Sequence, residues 1–314
     1  MANMSFSSAP DARTLGRVAG ALAVDEAFVE KDWYVVQAIR VLVSLSNDDI
    51  TPVFSGGTAL LKGHGLIQRF SEDMDFKLGL SQAFLAQSGN QQRKALGEFK
   101  DALVSAWSSA GFRVTNIIAR DANGFVQVAM EYPSVLGGHS ALRPHILAEV
   151  SAKPPALPWL ERPLSSFVSQ YRALAPEVPA IGCIDPVETA ADKLSAFTWR
   201  MLVRDRSSEA DDPAIVRHIH DLAAIEPVVA ESAAFPALLA QTLQADAHRG
   251  GGVLRGILPE ARLPQMLAAL QADQEYAAEY ARFVEGMAFA GAGDVPSYSE
   301  AVVALIRLCA LCPV

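Results

Sequence analysis

One stretch limits what this chain can become more than any other: residues 54–77, F-S-G-G-T-A-L-L-K-G-H-G-L-I-Q-R-F-S-E-D-M-D-F-K. An apolar lead-in, Pro52-Val53-Phe54, runs into Ser55-Gly56-Gly57-Thr58. The helix formers Ala59-Leu60-Leu61-Lys62 follow, and Gly63 and Gly65 end them. After Arg69, Asp73-Met74-Asp75-Phe76 alternates as a strand does. In a strand Asp73, Asp75 and Lys77 share one face, and Met74, Phe76 and Leu78 the other. The pattern predicts a strand–turn–helix–strand unit. A Gly-Gly turn at a helix start presents backbone N–H groups to phosphate, and two carboxylates two residues apart hold hard cations through oxygen. Each half alone is met as ordinary turn chemistry or a solvated strand face. Joined in one unit, they predict a site for a nucleoside triphosphate (NTP) with Mg²⁺.

Three further motifs flank this unit: Glu30-Lys31-Asp32-Trp33-Tyr34, Asp192-Lys193-Leu194-x-Ala196 and Arg217-His218-x-x-Asp221-Leu222. With Gly56-Gly57-Thr58-Ala59-Leu60-x-Lys62 and Arg69-x-Ser71-Glu72-Asp73-x-Asp75 they resemble, in order and over residues 25–225, the AbiEii/AbiGii-type toxins. These are nucleotidyltransferase-fold proteins of bacterial toxin–antitoxin and phage-defence systems. The resemblance implies an enzyme that transfers a nucleoside monophosphate from an NTP to an acceptor hydroxyl. It also implies metal dependence, RNA (tRNA in some members) as acceptor, and a cognate antitoxin as partner. Fifteen residues, 58–72, separate Gly57 from Asp73; that spacing suits the toxin family and argues against the small drug-modifying transferases. Two rival readings stay open: a small-molecule nucleotidyltransferase, and a non-catalytic member that binds nucleotide or antitoxin.

Within the resemblance, Asp73 and Asp75 hold two Mg²⁺ ions, and Gly56, Gly57 and Thr58 cradle the phosphates. Lys62 and Arg69 are further phosphate candidates. The fold needs a third carboxylate on a strand beside the D-x-D. Glu149 is the candidate, in the strand-like run 145–151, where a carboxylate among apolar residues is costly unless paired. The alternative is a strand-end glutamate facing water. Lys193 lies with Arg200 and Arg204 at helical spacing. A lysine is a point charge suited to a triphosphate, a solvated basic face is the other reading, and the resemblance favours function for Lys193. Asp221 stands four residues after Arg217, which is also the spacing of a structural ion pair; the family motif implies a site role.

The remaining sequence sets the frame. The 314 residues are 51% hydrophobic and 19% charged, which describes a folded chain with ample core. The net charge of −9 does not favour a general nucleic-acid binder, so any RNA contact has to come from a local basic patch. Cys183, Cys309 and Cys312 give no disulfide framework, and Cys309-x-x-Cys312 reads as core packing. There is no signal-peptide pattern and no long apolar run, so no membrane span and a cytoplasmic location are expected. The expected class is α/β (α+β): a nucleotidyltransferase core with a short mixed sheet flanked by helices over 1–184, and an all-helical domain over 185–314. Helices are expected over 25–46, where Lys31-Asp32 reads as an exposed pair on a packed helix while the resemblance implies more for it, and over 91–110. Strands are expected over 112–118, 125–132 and 145–151, and loops over 79–90 and 153–163. A helix is expected to start at Asp185-Pro186. Residues 227–314 read as helical, without a motif.

Overall fold

The computed structural model describes residues 6, 9–137, 139, 142–288 and 295–312. The chain divides into two compact units, residues 1–65 with 70–184, and residues 66–69 with 185–314.

The first unit opens with α1 (Ala12–Leu22) and α2 (Glu26–Val43), the latter started by Asp25, whose carboxylate accepts the Ala27 N–H at 2.8 Å. Fifteen of the eighteen residues of α2 are buried, among them Glu30, Lys31 and Asp32. The exposed Lys31-Asp32 pair expected from sequence is therefore corrected. A helix that is apolar nearly all round must be enclosed, and its charges must then find partners inside.

Strand β1 (Ile50–Ser55) leads into α3 (Gly56–Lys62), and β2 (Asp73–Leu80), α4 (Gln82–Leu85) and α5 (Gly89–Ala110) follow. The expected loop over 79–90 is thus partly strand and one helical turn, capped by Ser81, which accepts the Phe84 N–H at 2.9 Å. Then come β3 (Arg113–Arg120), β4 (Phe125–Glu131), β5 (Ile146–Ser151), β6 (Leu160–Leu164), α6 (Phe167–Tyr171) and β7 (Val178–Cys183). Strand β6 falls inside the expected proline loop. It is the last strand of the sheet, where Pro163 is tolerated, and the register shifts between Arg162 and Leu164.

The seven strands form one mixed sheet in the order β3-β4-β5-β2-β1-β7-β6. Strands β1 and β2 are antiparallel, while β2 with β5 and β1 with β7 are parallel. Alternation settles its faces. Met74, Phe76, Leu78, Val126, Val128, Met130, Ile146, Ala148 and Val150 are buried on one side, and Asp73, Asp75, Gln127 and Glu149 take the other. Leu96, Phe99, Leu103 and Trp107 are the buried stripe of α5, and the Trp107 Nε1–H donates to the Ala38 carbonyl at 3.0 Å, tying α5 to α2. Truncating a fully buried tryptophan of this kind costs about 3–5 kcal/mol.

The second unit is helical: α7 (Pro186–Leu202), α8 (Arg217–Ala230), α9 (Phe235–Ala245), α10 (Pro259–Ala272), α11 (Glu275–Met287) and α12 (Tyr298–Ala310). Asp185 caps α7 by accepting the Val187 N–H at 2.8 Å, with Pro186 at the first helical position. Val187, Leu194, Phe197 and Met201 form its buried stripe. Arg204 is not part of a solvated basic face. It binds Asp211 at 2.7 Å and Glu279 at 2.7 Å, fixing the charged segment after α7 to α11. No helix among the described residues is long and apolar enough to cross a membrane.

Candidate active site

Gly56 follows β1 and begins α3 with φ of +74°, a region that glycine enters freely and other residues enter at a cost. A Cβ built there would lie 2.0 Å from Asp75 Oδ2. The glycine is thus required twice, once by backbone and once because the Asp75 carboxylate rests where a side chain would stand. The side chain of Ser55 makes no capping hydrogen bond to α3. Thr58 is buried, its hydroxyl donating to the Asp73 carbonyl and lying 2.9 Å from Ser71 Oγ. Its side chain ties the glycine turn to the start of β2.

On the polar face of the sheet, Asp75 stands in register with Glu149 of the parallel neighbour β5, and Asp73 with Leu147. Gln127 on β4 is in register with Glu149 and donates from Nε2 to Glu149 Oε1 at 2.7 Å. Glu149 is therefore a mid-strand residue beside the D-x-D, held by an amide, rather than a strand-end group. Asp73 and Asp75 are both partly exposed. Partly exposed carboxylates suit Mg²⁺, which keeps several waters and takes one or two carboxylates together with substrate phosphates. On that chemistry the donor set fits a divalent ion, although among the described residues no three His, Cys, Asp or Glu groups close into a ligand shell.

Sequence reasoning missed the polar groups behind the D-x-D. Lys31, with a fully buried side chain, binds the Glu72 carboxylate and donates to the Arg143 carbonyl at 2.7 Å. Glu72 also accepts the Arg143 N–H at 3.1 Å, and the Arg143 guanidinium reaches back to Asp73. Burial lowers the pKa of the Lys31 ammonium, and Glu72 partly restores it. Asp32 accepts the Phe167 N–H at 2.7 Å and pairs with Lys62 at 2.5 Å. Lys62 further donates to the Ser165 carbonyl at 3.1 Å and lies 4.1 Å above the Phe167 ring. The Lys62 ammonium is thus turned inward, with its charge balanced by Asp32. The signal that could have revealed these roles was the surroundings of the motif. Glu30-Lys31-Asp32 is flanked on both sides by Phe28-Val29 and by Trp33-Tyr34-Val35-Val36, so no solvent face was left for it.

In the second unit, three separate motifs meet at Asp221. Its side chain is fully buried and receives Arg69 through Nε at 2.7 Å and Nη2 at 2.6 Å, with the Lys193 ammonium at 2.7 Å. Arg217, the i−4 neighbour, pairs instead with Asp212 at 2.9 Å, so Asp221 is bound to residues far away in sequence. Burial opposes ionisation of Asp221, but the Arg69 and Lys193 charges outweigh it and hold its carboxyl well below the usual range. Burial lowers the Lys193 pKa, Asp221 offsets part of this, and Arg69 adds to the lowering. Asp221 thus receives two cations in a poorly solvated place. His218 Nε2 lies 3.3 Å from Arg200 Nη1, while its buried Nδ1 has no hydrogen-bond partner.

A family model described as nucleotidyl transferase AbiEii toxin, type IV toxin–antitoxin system, matches residues 40–303. The match includes residues 227–303 of the helical segment in which the sequence offered no motif. No curated protein matches the chain. Among solved structures, MenT4, a nucleotidyltransferase toxin from Mycobacterium tuberculosis H37Rv, is similar with a TM-score of 0.52 and 19% identity, covering 95% of this chain and 99% of that one. At that identity the likeness concerns the fold.

Proposed function

The chain belongs to the AbiEii family of nucleotidyltransferase toxins of type IV toxin–antitoxin systems, and from that premise we propose that it transfers a nucleoside monophosphate from an NTP to a hydroxyl of RNA, tRNA being the favoured class. In this reading residues 1–184 are the transferase core and residues 185–314 a helical domain. Asp73 and Asp75 hold the divalent metal, with two Mg²⁺ ions the proposed complement. Bound there, the metal supplies charge neutralisation for the attacking and leaving oxygens of an in-line displacement.

The chain's own groups do the rest. Backbone N–H groups of Gly56, Gly57 and Thr58 bind phosphate oxygens. Glu149, oriented by Gln127, completes the metal's shell or accepts the proton of the attacking hydroxyl. Lys193 neutralises charge on the triphosphate. Arg69 and Asp221 act on Lys193 as positioning groups, the carboxylate fixing where the ammonium points and Arg69 pressing on its charge. Lys62, paired with Asp32, is given a supporting role in the α3 turn. A cognate antitoxin is the expected protein partner, and the cytoplasm, which holds NTP and tRNA, the expected location.

The observation that carries the reading is the register of Asp75 with Glu149 on one sheet face, with Gly56 pressed against Asp75. The test is incubation with each radiolabelled NTP and total RNA. Label should enter RNA with one NTP preferred, and Asp73→Ala or Asp75→Ala should abolish it, by about a thousandfold or more for loss of several kcal/mol of transition-state stabilisation. Label that enters only a small molecule would move the acceptor to the metabolite class. Normal transfer by both folded mutants would remove the metal assignment.

A further inference from the structure

Arg143 precedes β5 and is held in an unusual way. Its backbone is fixed at both polar groups. The N–H donates to Glu72 at 3.1 Å, and the carbonyl accepts from Lys31 at 2.7 Å. Glu72 and Lys31 are themselves paired, and the Lys31 side chain is fully buried. The anchor is therefore an enclosed ion pair that cannot be loosened without leaving a buried charge. The side chain is different. The Arg143 side chain, 44% exposed, places its guanidinium on Oδ1 of Asp73, a side chain itself 35% exposed, and the pair is screened by water. A rigid root thus carries a movable cationic arm whose resting place is a carboxylate of the D-x-D.

We propose that Arg143 is the resident counter-ion of Asp73, displaced when metal enters, and that its freed guanidinium then binds the triphosphate arriving with that metal. This rests on the proposed metal role of Asp73. A cation on Asp73 Oδ1 and a metal on the same oxygen are mutually exclusive, so whatever Arg143 contributes at rest is subtracted from metal affinity. The anchored root keeps the displaced arm within reach of the same site, and a guanidinium is the side chain best matched to phosphate oxygens. The exchange makes metal and nucleotide bind better together than apart, because the nucleotide gives the displaced arginine a new partner.

The test compares wild type, Arg143→Ala, Arg143→Lys and Asp73→Asn, each checked by thermal unfolding, with Arg143→Gln as the replacement should the alanine variant fail to fold. Mn²⁺ binding without nucleotide is read from the paramagnetic resonance of the free ion, and KM for the NTP from RNA labelling. The expected result is Mn²⁺ bound about two- to fivefold more tightly by Arg143→Ala, the range a half-exposed ion pair supports. The NTP KM should rise about tenfold, as for loss of a charged hydrogen bond, with Arg143→Lys between the two. An unchanged or weaker Mn²⁺ affinity, or an unchanged KM, in the folded variant overturns the proposal while leaving the metal role of Asp73 intact. If Asp73→Asn binds Mn²⁺ as wild type does, the metal role fails and this proposal with it.

Discussion

Gly56 is the residue at which backbone and chemistry meet. Its φ of +74° and the 2.0 Å that would separate a Cβ from Asp75 Oδ2 act together. Gly56→Ala therefore strains the turn, by about 1–2 kcal/mol for the left-handed backbone alone, and pushes the Asp75 carboxylate aside. Near-complete loss of nucleotide transfer with a modest fall in melting temperature is expected, and transfer within twofold of wild type would show that Asp75 need not sit there. His218 gives a residue-scale test of a different kind. Burial first, then Lys193, Arg217 and Arg200, hold its imidazole well below the ordinary value of 6.5. The folded protein keeps it neutral while the unfolded chain takes up a proton below 6.5. Its contribution to stability is thus complete above that pH and is lost as pH falls toward the depressed folded value. Denaturant titrations at pH 7, 6 and 5 should show stability falling by up to about 1.4 kcal/mol per pH unit below 6.5 from this residue. The slope should flatten in His218→Gln. It will not vanish, because burial also lowers the His145 pKa. An identical slope in the variant would assign the titration elsewhere.

At the scale of elements, α2 is a buried helix that carries its own charges inward. Glu30 accepts Ser134 Oγ and the Val135 N–H, both at 2.7 Å, Lys31 takes Glu72, and Asp32 takes Lys62. Three successive residues point in three directions on a helix, so one element fixes three different segments of the first unit. Removing one partner of such a pair costs about 3–5 kcal/mol because the other charge stays buried, whereas replacing both with apolar groups is close to neutral. Asp32→Ala should therefore lower stability by about that amount, and Asp32→Leu with Lys62→Met should recover most of it. Equal loss in the single and double variants, measured by urea unfolding, would show that the site depends on the hydrogen bond to the Phe167 N–H rather than on the ion pair.

For the whole molecule, the net charge of −9 sets the terms on which RNA is met. Few phosphate contacts are expected, so labelling of RNA should weaken with salt less steeply than for a basic RNA-binding protein. Membership of a toxin family makes growth the natural readout. Expression in a bacterial host should arrest growth, and co-expression of the antitoxin encoded beside the gene should relieve the arrest. The Asp73→Ala/Asp75→Ala protein should be harmless at equal abundance. Arrest by that double variant would separate toxicity from transfer.

What the sequence determined by itself was what local periodicity and turn chemistry can encode. The alternation of Asp73 to Leu78, the capped start of α7 at Asp185-Pro186, the apolar stripe of α5 and the glycine turn before α3 are all visible in a few consecutive residues, because each depends on backbone geometry within one element. The placing of charged partners was not visible. Arg217 and Asp221 have the spacing of a helical pair, yet Asp221 is bound by Arg69 and Lys193. Lys31-Asp32 and Lys62 read as exposed or phosphate-facing charges, yet each is enclosed with a partner at least thirty residues away. Glu149 gains its neighbours Asp75 and Gln127 only because β5 lies between β2 and β4. Coulomb attraction and desolvation depend on distance in space and on exclusion of water, and neither is written in the spacing of residues along a chain.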